Sequence, residues 1–305
     1  MKPRRRITVI FGTMLLLCIS GAAFLLAPLD RVRARTTEEE ALYIPSAAVL
    51  KKASLGYTGL MADIYWTRAV QYYGRRHVDG MATYPLLYQL LDISTTLDPQ
   101  LLVAYQFGSI FLSQKSPSGA GQPDKAAQLV ERGIAANPSD WTLYYNLGFI
   151  YYDMGAYREA SEVFLRGSQV PNANPALHVL AATTAEKGGN PETARLLWTK
   201  IYETSSAESV RKNALQHLIA LKIDEEVPTL ERLVRKFRES TGRTPSNFEE
   251  MVAAGWLTDV PVDPTGQIYR LLPDGRVELQ SPEKKPYVHF GLPGGPSEPQ
   301  TDTAP

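Results

Sequence analysis

Apolar residues recur at a fixed interval along the middle of the chain. The interval is 34 residues, and it separates the members of two series: Ala126, Ala160 and Ala194, and Val130, Phe164 and Trp198. Between these positions the apolar residues follow helical spacing, and short segments rich in glycine, proline, serine or asparagine interrupt them. Units of this kind bury their apolar faces only by stacking on one another. The pattern therefore predicts a mainly α fold, an α-solenoid of helix-turn-helix repeats over residues 100–206.

One interval, residues 141–175, carries the most specific pattern. Its first helix places Leu147 and Gly148 where two helices must approach closely, and Tyr151 follows one turn later. Its second helix continues at helical spacing with Ala160, Phe164 and Gly167. The segment resembles the tetratricopeptide repeat, although a PNANP linker replaces the closing proline of that family. The resemblance implies a protein-interaction fold and names no particular partner.

Two flanking segments extend the array. Residues 54–99 predict a degenerate tetratricopeptide-like helical pair, and residues 207–240 predict one or two capping helices that cover the last exposed face. The first helix of the degenerate pair is rich in aromatic residues: Tyr57, Tyr65, Trp66, Tyr72 and Tyr73. These rings suit either a lipid interface beside a membrane span or packing within the first repeat. The spacing of Ala69 and Tyr73 favours packing.

The N-terminus predicts attachment to a membrane. A basic segment, residues 1–6, precedes an uncharged apolar run at residues 7–29 that is long enough to cross a bilayer as one helix. We interpret this run as a transmembrane signal anchor, followed by a linker at residues 30–53. The predicted location is the bacterial inner (cytoplasmic) membrane, as a single-pass protein with the bulk of the chain in the periplasm. The alternatives are a signal peptide cleaved near Ser20 and Ala22, and the opposite topology with a cytosolic repeat domain.

Residues 241–280 change character and predict a small α+β module. Ser246 is expected to cap a short helix that Gly255 ends, and two short β runs follow around a Pro-Asp-Gly turn. The module resembles the C-terminal part of the major pseudopilin of type II secretion at Pro245, Gly255, Leu257, Pro261, Asp263, Pro264, Gly266 and Tyr269. The loop that helps to hold calcium in that family is missing after Gln280, so calcium binding is not implied. Residues 281–305, rich in proline and glycine, predict a disordered tail.

The aromatic residues of the repeats predict a binding surface. On the first helix of the pair, Tyr144, Leu147 and Tyr151 fall on the face that packs against other helices. Other aromatic residues fall on the concave face and form the predicted peptide-binding groove: Tyr105, Tyr145, Phe149 and Tyr152. An apolar groove suits a protein segment with hydrophobic anchors. The alternative is that the C-terminal region or the N-terminal helix folds back and fills the groove.

Charge and composition point away from nucleic acid and from catalysis. Lysine plus arginine, 32 residues, equals aspartate plus glutamate, 32 residues, so no global field attracts nucleic acid. The sole cysteine, Cys18, lies in the apolar run. The histidines lack metal-ligand spacing, and His178 and His217 are expected on helical surfaces. Because motifs for phosphate binding, nucleophilic catalysis and zinc hydrolysis are missing, we predict no cofactor, no metal, no small-molecule substrate and no enzymatic activity.

These features together predict a function. The chain is expected to be a membrane-anchored tetratricopeptide scaffold or adaptor that binds a protein segment in its concave groove and assists assembly of an envelope complex. The pseudopilin-like module points to secretion or pilus machinery. The alternative is an accessory subunit or an uncharacterised enzyme of the cell envelope, with a site at the junction of the repeats and the C-terminal module.

Overall fold

The computed structural model describes residues 45–296. They form two compact units, residues 45–98 (the first unit) and residues 99–296 (the second unit). The predicted basic N-terminus and transmembrane anchor, residues 1–29, lie outside the described residues, as do residues 297–305. Within the described part of the chain, no helix combines the length and the apolar character that a membrane crossing requires.

The first unit contains three helices: α1 (Ala47–Ala53), α2 (Thr58–Val78) and α3 (Leu87–Leu97). The buried small residues Ala62 and Ala69 let α2 lie close to α3, and Ser94 Oγ donates a hydrogen bond to the carbonyl of Ala62 at 3.0 Å. Two packed helices therefore lie within residues 54–99, for which the sequence predicts a degenerate repeat. The prediction of a linker through residue 53 is wrong at its end, because Ser46 caps α1 by accepting a hydrogen bond from the Val49 amide.

The second unit begins with six helices: α4 (Leu102–Ser113), α5 (Pro123–Ala136), α6 (Trp141–Asp153), α7 (Tyr157–Ser168), α8 (Ala176–Lys187) and α9 (Pro191–Thr204). Each of these helices packs on the next one. Their starts follow from local chemistry, since Pro123 and Pro191 stand in the first turn of α5 and α9, and Asp140 accepts a hydrogen bond from the Thr142 amide to cap α6. The predicted helix-turn-helix repeats are confirmed.

A third series with the 34-residue interval explains the turns inside the pairs. Gly121, Gly155 and Gly189 have φ angles of +62°, +79° and +68°. Each stands two residues before the second helix of its pair. A left-handed backbone costs a residue with a Cβ about 1–2 kcal/mol, whereas glycine adopts it freely. The interval is therefore set by turn geometry as well as by helix packing.

A glycine inside α6 sets its distance from α7. A Cβ on Gly148 would lie 2.5 Å from Cδ1 and 2.7 Å from Cζ of Phe164, and closer still to Cε1. The Phe164 ring is fully buried against the α6 backbone. Glycine at this position is what allows the aromatic ring to occupy the contact between the two helices.

One long helix, α10 (Glu208–Thr241), organises the rest of the second unit. It packs on α9 and also on the C-terminal residues, which form α11 (Phe248–Ala253) and the antiparallel strands β1 (Arg270–Leu271) and β2 (Val277–Glu278). Their shared core contains Ile223, Val227, Val234, Phe237, Phe248, Met251, Tyr269, Val277 and Leu279. The predicted capping segment is therefore one continuous helix, which also supplies core residues to the C-terminal module.

The short helix of the module begins one residue later than predicted. Asn247, rather than Ser246, caps α11, because Asn247 Oδ1 accepts a hydrogen bond from the Glu250 amide at 2.9 Å. Glu250 in turn accepts one from the Ser246 amide at 2.8 Å. α11 ends before Gly255, which has φ +77°. The two strands then pair around the Pro-Asp-Gly turn, as predicted.

The prediction of a disordered tail is wrong for residues 281–296. Val288 is buried in the module core. The carboxylate of Asp224 on α10 accepts hydrogen bonds from the amides of His289 and Phe290 at 2.8 and 2.9 Å. A proline- and glycine-rich composition predicts few apolar anchors, but it does not show that a helix elsewhere captures the backbone.

Candidate functional site

Three residues hold α6 against neighbouring helices. Tyr144 and Leu147 are buried, which agrees with their predicted packing role, and a Cβ on Gly167 of α7 would lie 2.5 Å from Tyr144 Cβ. Tyr151 is half-buried, and its hydroxyl donates a hydrogen bond to Glu131 Oε1 at 2.8 Å. Burial and this acceptor raise the pKa of Tyr151 to about 12. The side chains of these three residues therefore contact other parts of the fold.

A continuous row of rings runs along another face of α6. We call Trp141, Tyr145, Phe149 and Tyr152 the aromatic stripe. Successive ring centroids are 6.3, 4.7 and 6.3 Å apart, within the range where aromatic pairs stabilise one another. Tyr145 is 40% exposed, whereas Phe149 and Tyr152 are half-buried. Residues four apart on a helix share a face, so the spacing of the first three residues places their rings in line.

A lysine from α8 stands at one end of the stripe. Lys187 Nζ donates a hydrogen bond to the Tyr152 hydroxyl at 2.5 Å and lies 4.3 Å from the centroid of the Tyr152 ring. It also lies 4.9 Å from the centroid of the Tyr157 ring. The hydrogen bond to Tyr152 raises the pKa of Lys187, so the exposed ammonium stays charged at neutral pH. The stripe thus ends in a positive charge.

The prediction that Tyr105 belongs to the groove is wrong. Its side chain is 2% exposed, and a Cβ on Gly133 of α5 would lie 2.8 Å from Tyr105 Cδ1. The equivalent contact in the next pair joins Tyr144 to Gly167, so Tyr105 corresponds to Tyr144 at an interval of 39 residues (144 − 105). The prediction instead treated Tyr105 as equivalent to Tyr145, at an interval of 40 residues (145 − 105). One residue turns a helix by about 100°, which is enough to exchange the two faces.

The position on α4 that corresponds to Tyr145 is held by Gln106. Its side-chain amide donates to Thr142 Oγ1 at 2.5 Å, and its backbone carbonyl accepts from Asn146 Nδ2 at 3.1 Å. Two polar contacts therefore join α4 to α6. Ile110, four residues later, is exposed on the same face of α4 and adds apolar surface there. Sequence reasoning missed Ile110 because the alignment of the two pairs was displaced by one residue.

The expectation that His217 lies on a helical surface is also wrong. Its ring is stacked between the rings of Trp198 and Tyr287, with centroid distances of 4.1 and 3.8 Å. The Glu186 carboxylate accepts a hydrogen bond from Trp198 Nε1 at 2.7 Å and lies 3.0 Å from His217 Nδ1. Asn213 donates a hydrogen bond to the Tyr287 hydroxyl at 3.1 Å. Because rings cover both faces of the imidazole, this cluster fastens the C-terminal segment to the last helical pair.

A buried carboxylate of the C-terminal module, Asp263, lies beside a cation from residues 281–296. Asp263 Oδ1 accepts hydrogen bonds from the amides of Thr265 and Gln267, and Lys285 Nζ lies 2.9 Å from Asp263 Oδ2. Both charged side chains are buried. Across residues 45–296, no group of three or more histidine, cysteine, aspartate or glutamate residues is placed to hold a metal ion. The Asp263 carboxylate is therefore balanced by an ammonium from the chain itself.

Comparison with known proteins identifies the repeats. A search of curated proteins gave no match to this chain. A family model described as tetratricopeptide repeat matches residues 119–182, which include α5, α6, α7 and the first part of α8. The matched segment contains the aromatic stripe and two of the three turn glycines. The match supports the assignment of these helical repeats as tetratricopeptide repeats.

Proposed function

We propose that this chain is a membrane-anchored tetratricopeptide scaffold whose aromatic stripe binds a segment of another protein. Tetratricopeptide repeats are typically non-catalytic scaffolds that mediate protein interactions. The observation that carries the proposal is the row of rings centred on Tyr145 and Phe149, in which Tyr145 is exposed and the other rings are half-buried. An aligned aromatic surface of this kind is typical of a site that buries an apolar partner.

The chemistry of the stripe defines the segment that fits it. Apolar side chains of the partner would displace water from the partly covered rings, which is where much of the affinity of such surfaces arises. Lys187 places a positive charge beside Tyr152, at one end. Asn146 already donates its amide hydrogen bond to Gln106. A segment with apolar anchors followed by an acidic side chain therefore suits this surface better than one held by a terminal carboxylate.

Removing the two central rings is expected to weaken partner binding. In the double variant Tyr145→Ala and Phe149→Ala, captured partner should fall by at least about 30-fold, because hot-spot residues contribute about 2 kcal/mol or more. The measurement is a pull-down from membrane extracts with the full chain, with captured proteins identified by crosslinking. Tyr202→Ala is the matched control, since Tyr202 is 41% exposed on α9 and lies outside the stripe. Unchanged capture by a folded double variant would reject binding at the stripe.

The proposed location is the bacterial inner membrane, with residues 7–29 as a single-pass anchor and the bulk of the chain in the periplasm. The uncharged run and the basic residues before it support this topology. The resemblance of residues 241–280 to the major pseudopilin supports a role in assembling an envelope complex, in secretion or pilus machinery. A C-terminal reporter that is active only in the periplasm is expected to be active on the full chain. Activity from a reporter that works only in the cytosol would instead indicate the opposite topology, with the repeats in the cytosol.

A further inference from the structure

The turn between α1 and α2 presents apolar side chains to solvent. Leu55 is 87% exposed, and Tyr57, Leu60 and Ile64 are exposed as well. We call these four residues the turn surface. All of them lie in the first unit, within the turn and the first two turns of α2. The fold buries none of them, so their apolar character contributes little to packing.

The backbone of this turn makes its leucine unusual. Leu55 has φ +50° and is followed by Gly56 at φ +96°. A left-handed conformation disfavours residues with a Cβ, so turn geometry alone would favour glycine or asparagine at position 55. The chain instead places a large apolar side chain there and exposes it. This choice is explained if the leucine binds something outside the fold.

The apolar character ends where the helix moves away from the turn. The exposed carboxylate of Asp63 lies beside Ile64, and after Ile64 the same side of α2 carries Arg68 and Gln71, which are also exposed. On the other flank, Lys51 and Lys52 in the last turn of α1 are exposed too. A small apolar tip between basic side chains matches the boundary between lipid headgroups and acyl chains, where apolar groups insert and cations contact anionic headgroups.

The length of chain between the proposed anchor and α1 limits how far the turn surface can lie from a bilayer. The uncharged run ends at Leu29, and Ser46 caps α1 seventeen residues later (46 − 29). Even fully extended, that segment reaches at most about 60 Å. We infer that the turn surface inserts into the headgroup region of the membrane that holds the anchor, with Lys51 and Lys52 facing anionic lipid. The inference rests on the proposed anchor at residues 7–29.

Site-specific fluorescence on the full chain tests the inference. Leu55→Cys in a Cys18→Ser background carries one environment-sensitive dye, and the protein is reconstituted into vesicles of phosphatidylcholine and phosphatidylglycerol. Val78→Cys in the same background is the matched control, because Val78 is 83% exposed at the far end of α2, about 30 Å away along the helix. We expect the dye at position 55 to shift to shorter wavelength and to lose at least half its emission to lipids carrying a quencher near the headgroup. The dye at position 78 should do neither.

A second site and vesicle flotation separate the outcomes. Leu60→Cys is expected to behave as position 55 does, which guards against a local effect of replacing the strained leucine. If the chain floats with vesicles but the dyes at positions 55 and 60 behave like the dye at position 78, the proposed insertion of the turn surface is overturned and the proposed anchor is retained. A chain that does not float overturns both. A wavelength shift in native membranes without quenching by lipid would assign the surface to a protein partner and overturn the lipid assignment.

Discussion

Replacing Lys285 with methionine is expected to destabilise the C-terminal part of the second unit by about 3–5 kcal/mol. The Lys285 ammonium lies 2.9 Å from Asp263 Oδ2, and the two side chains are only 3% and 1% exposed. Methionine approximates the shape of lysine but removes the charge. Asp263 would then remain as a buried carboxylate without a cation beside it. Urea unfolding of the full chain in detergent micelles, followed by tryptophan fluorescence, measures the loss.

The neighbouring lysine provides the control. Lys284 is exposed, so Lys284→Met should change the free energy of unfolding by no more than about 0.5 kcal/mol. A loss of equal size in the two variants would show that the Lys285 and Asp263 charges do not stabilise the module as a pair.

The effect of Lys285→Met should also depend on pH. Burial alone raises the pKa of Asp263, but hydrogen bonds from Thr265 and Lys285 outweigh it and hold the pKa below its ordinary value. In the wild type, the ionised carboxylate therefore adds stability above a pH of about 3.9, and this is lost as the pH falls through the folded-state pKa. Without Lys285, one of the hydrogen bonds that lower the pKa of Asp263 is lost, so the carboxylate takes up its proton at a higher pH than in the wild type, and protonation relieves the buried charge. The difference between variant and wild type should narrow as the pH falls from about 7 to about 4.

Gly148→Ala is expected to destabilise the repeats by about 2–3 kcal/mol. The added methyl group would overlap the Phe164 ring, which is fully buried in a close-packed core. Glycine to alanine within a helix ordinarily stabilises by about 0.5–1 kcal/mol, so the sign of the change reports the close approach of α6 and α7. Thermal unfolding followed by far-ultraviolet circular dichroism measures it.

Two further variants isolate the cause. Gly74→Ala, in α2, should stabilise the protein as such changes within helices ordinarily do, because nothing lies within 4 Å of its added Cβ. Combining Gly148→Ala with Phe164→Leu should cost less than the sum of the two single changes, since the smaller side chain makes room for the methyl group. An additive double variant would place the destabilisation elsewhere than at this contact.

The repeats were predictable because local chemistry decides them. The two 34-residue series, one that includes Ala126 and one that includes Phe164, report which positions must be small or large where stacked helices meet. The hairpin after Gly255 was predictable for the same reason, since its Pro-Asp-Gly turn requires particular residue types. The candidate site was predictable in part. Tyr145 and Phe149 were placed on one face by helical spacing alone.

The errors concern contacts between distant parts of the chain. The prediction for Tyr105 is wrong because the connection between α4 and α5 is longer than those between α6 and α7 and between α8 and α9, so that equivalent residues of α4 and α6 are 39 rather than 34 residues apart. His217 looked like a surface residue until Tyr287, seventy residues later (287 − 217), stacked on it. No local pattern shows which segment will cover a helix face.

By itself, the sequence determined the helix-turn-helix units, their turn glycines and the aromatic spacing of α6, because each depends on residues within one or two helical turns. Tertiary structure alone decided which rings remain exposed, that residues 281–296 pack along α10, and that Lys285 neutralises Asp263. Those outcomes depend on long-range packing, in which a shift of one residue turns a helix face by about 100° and exchanges a buried ring for an exposed one.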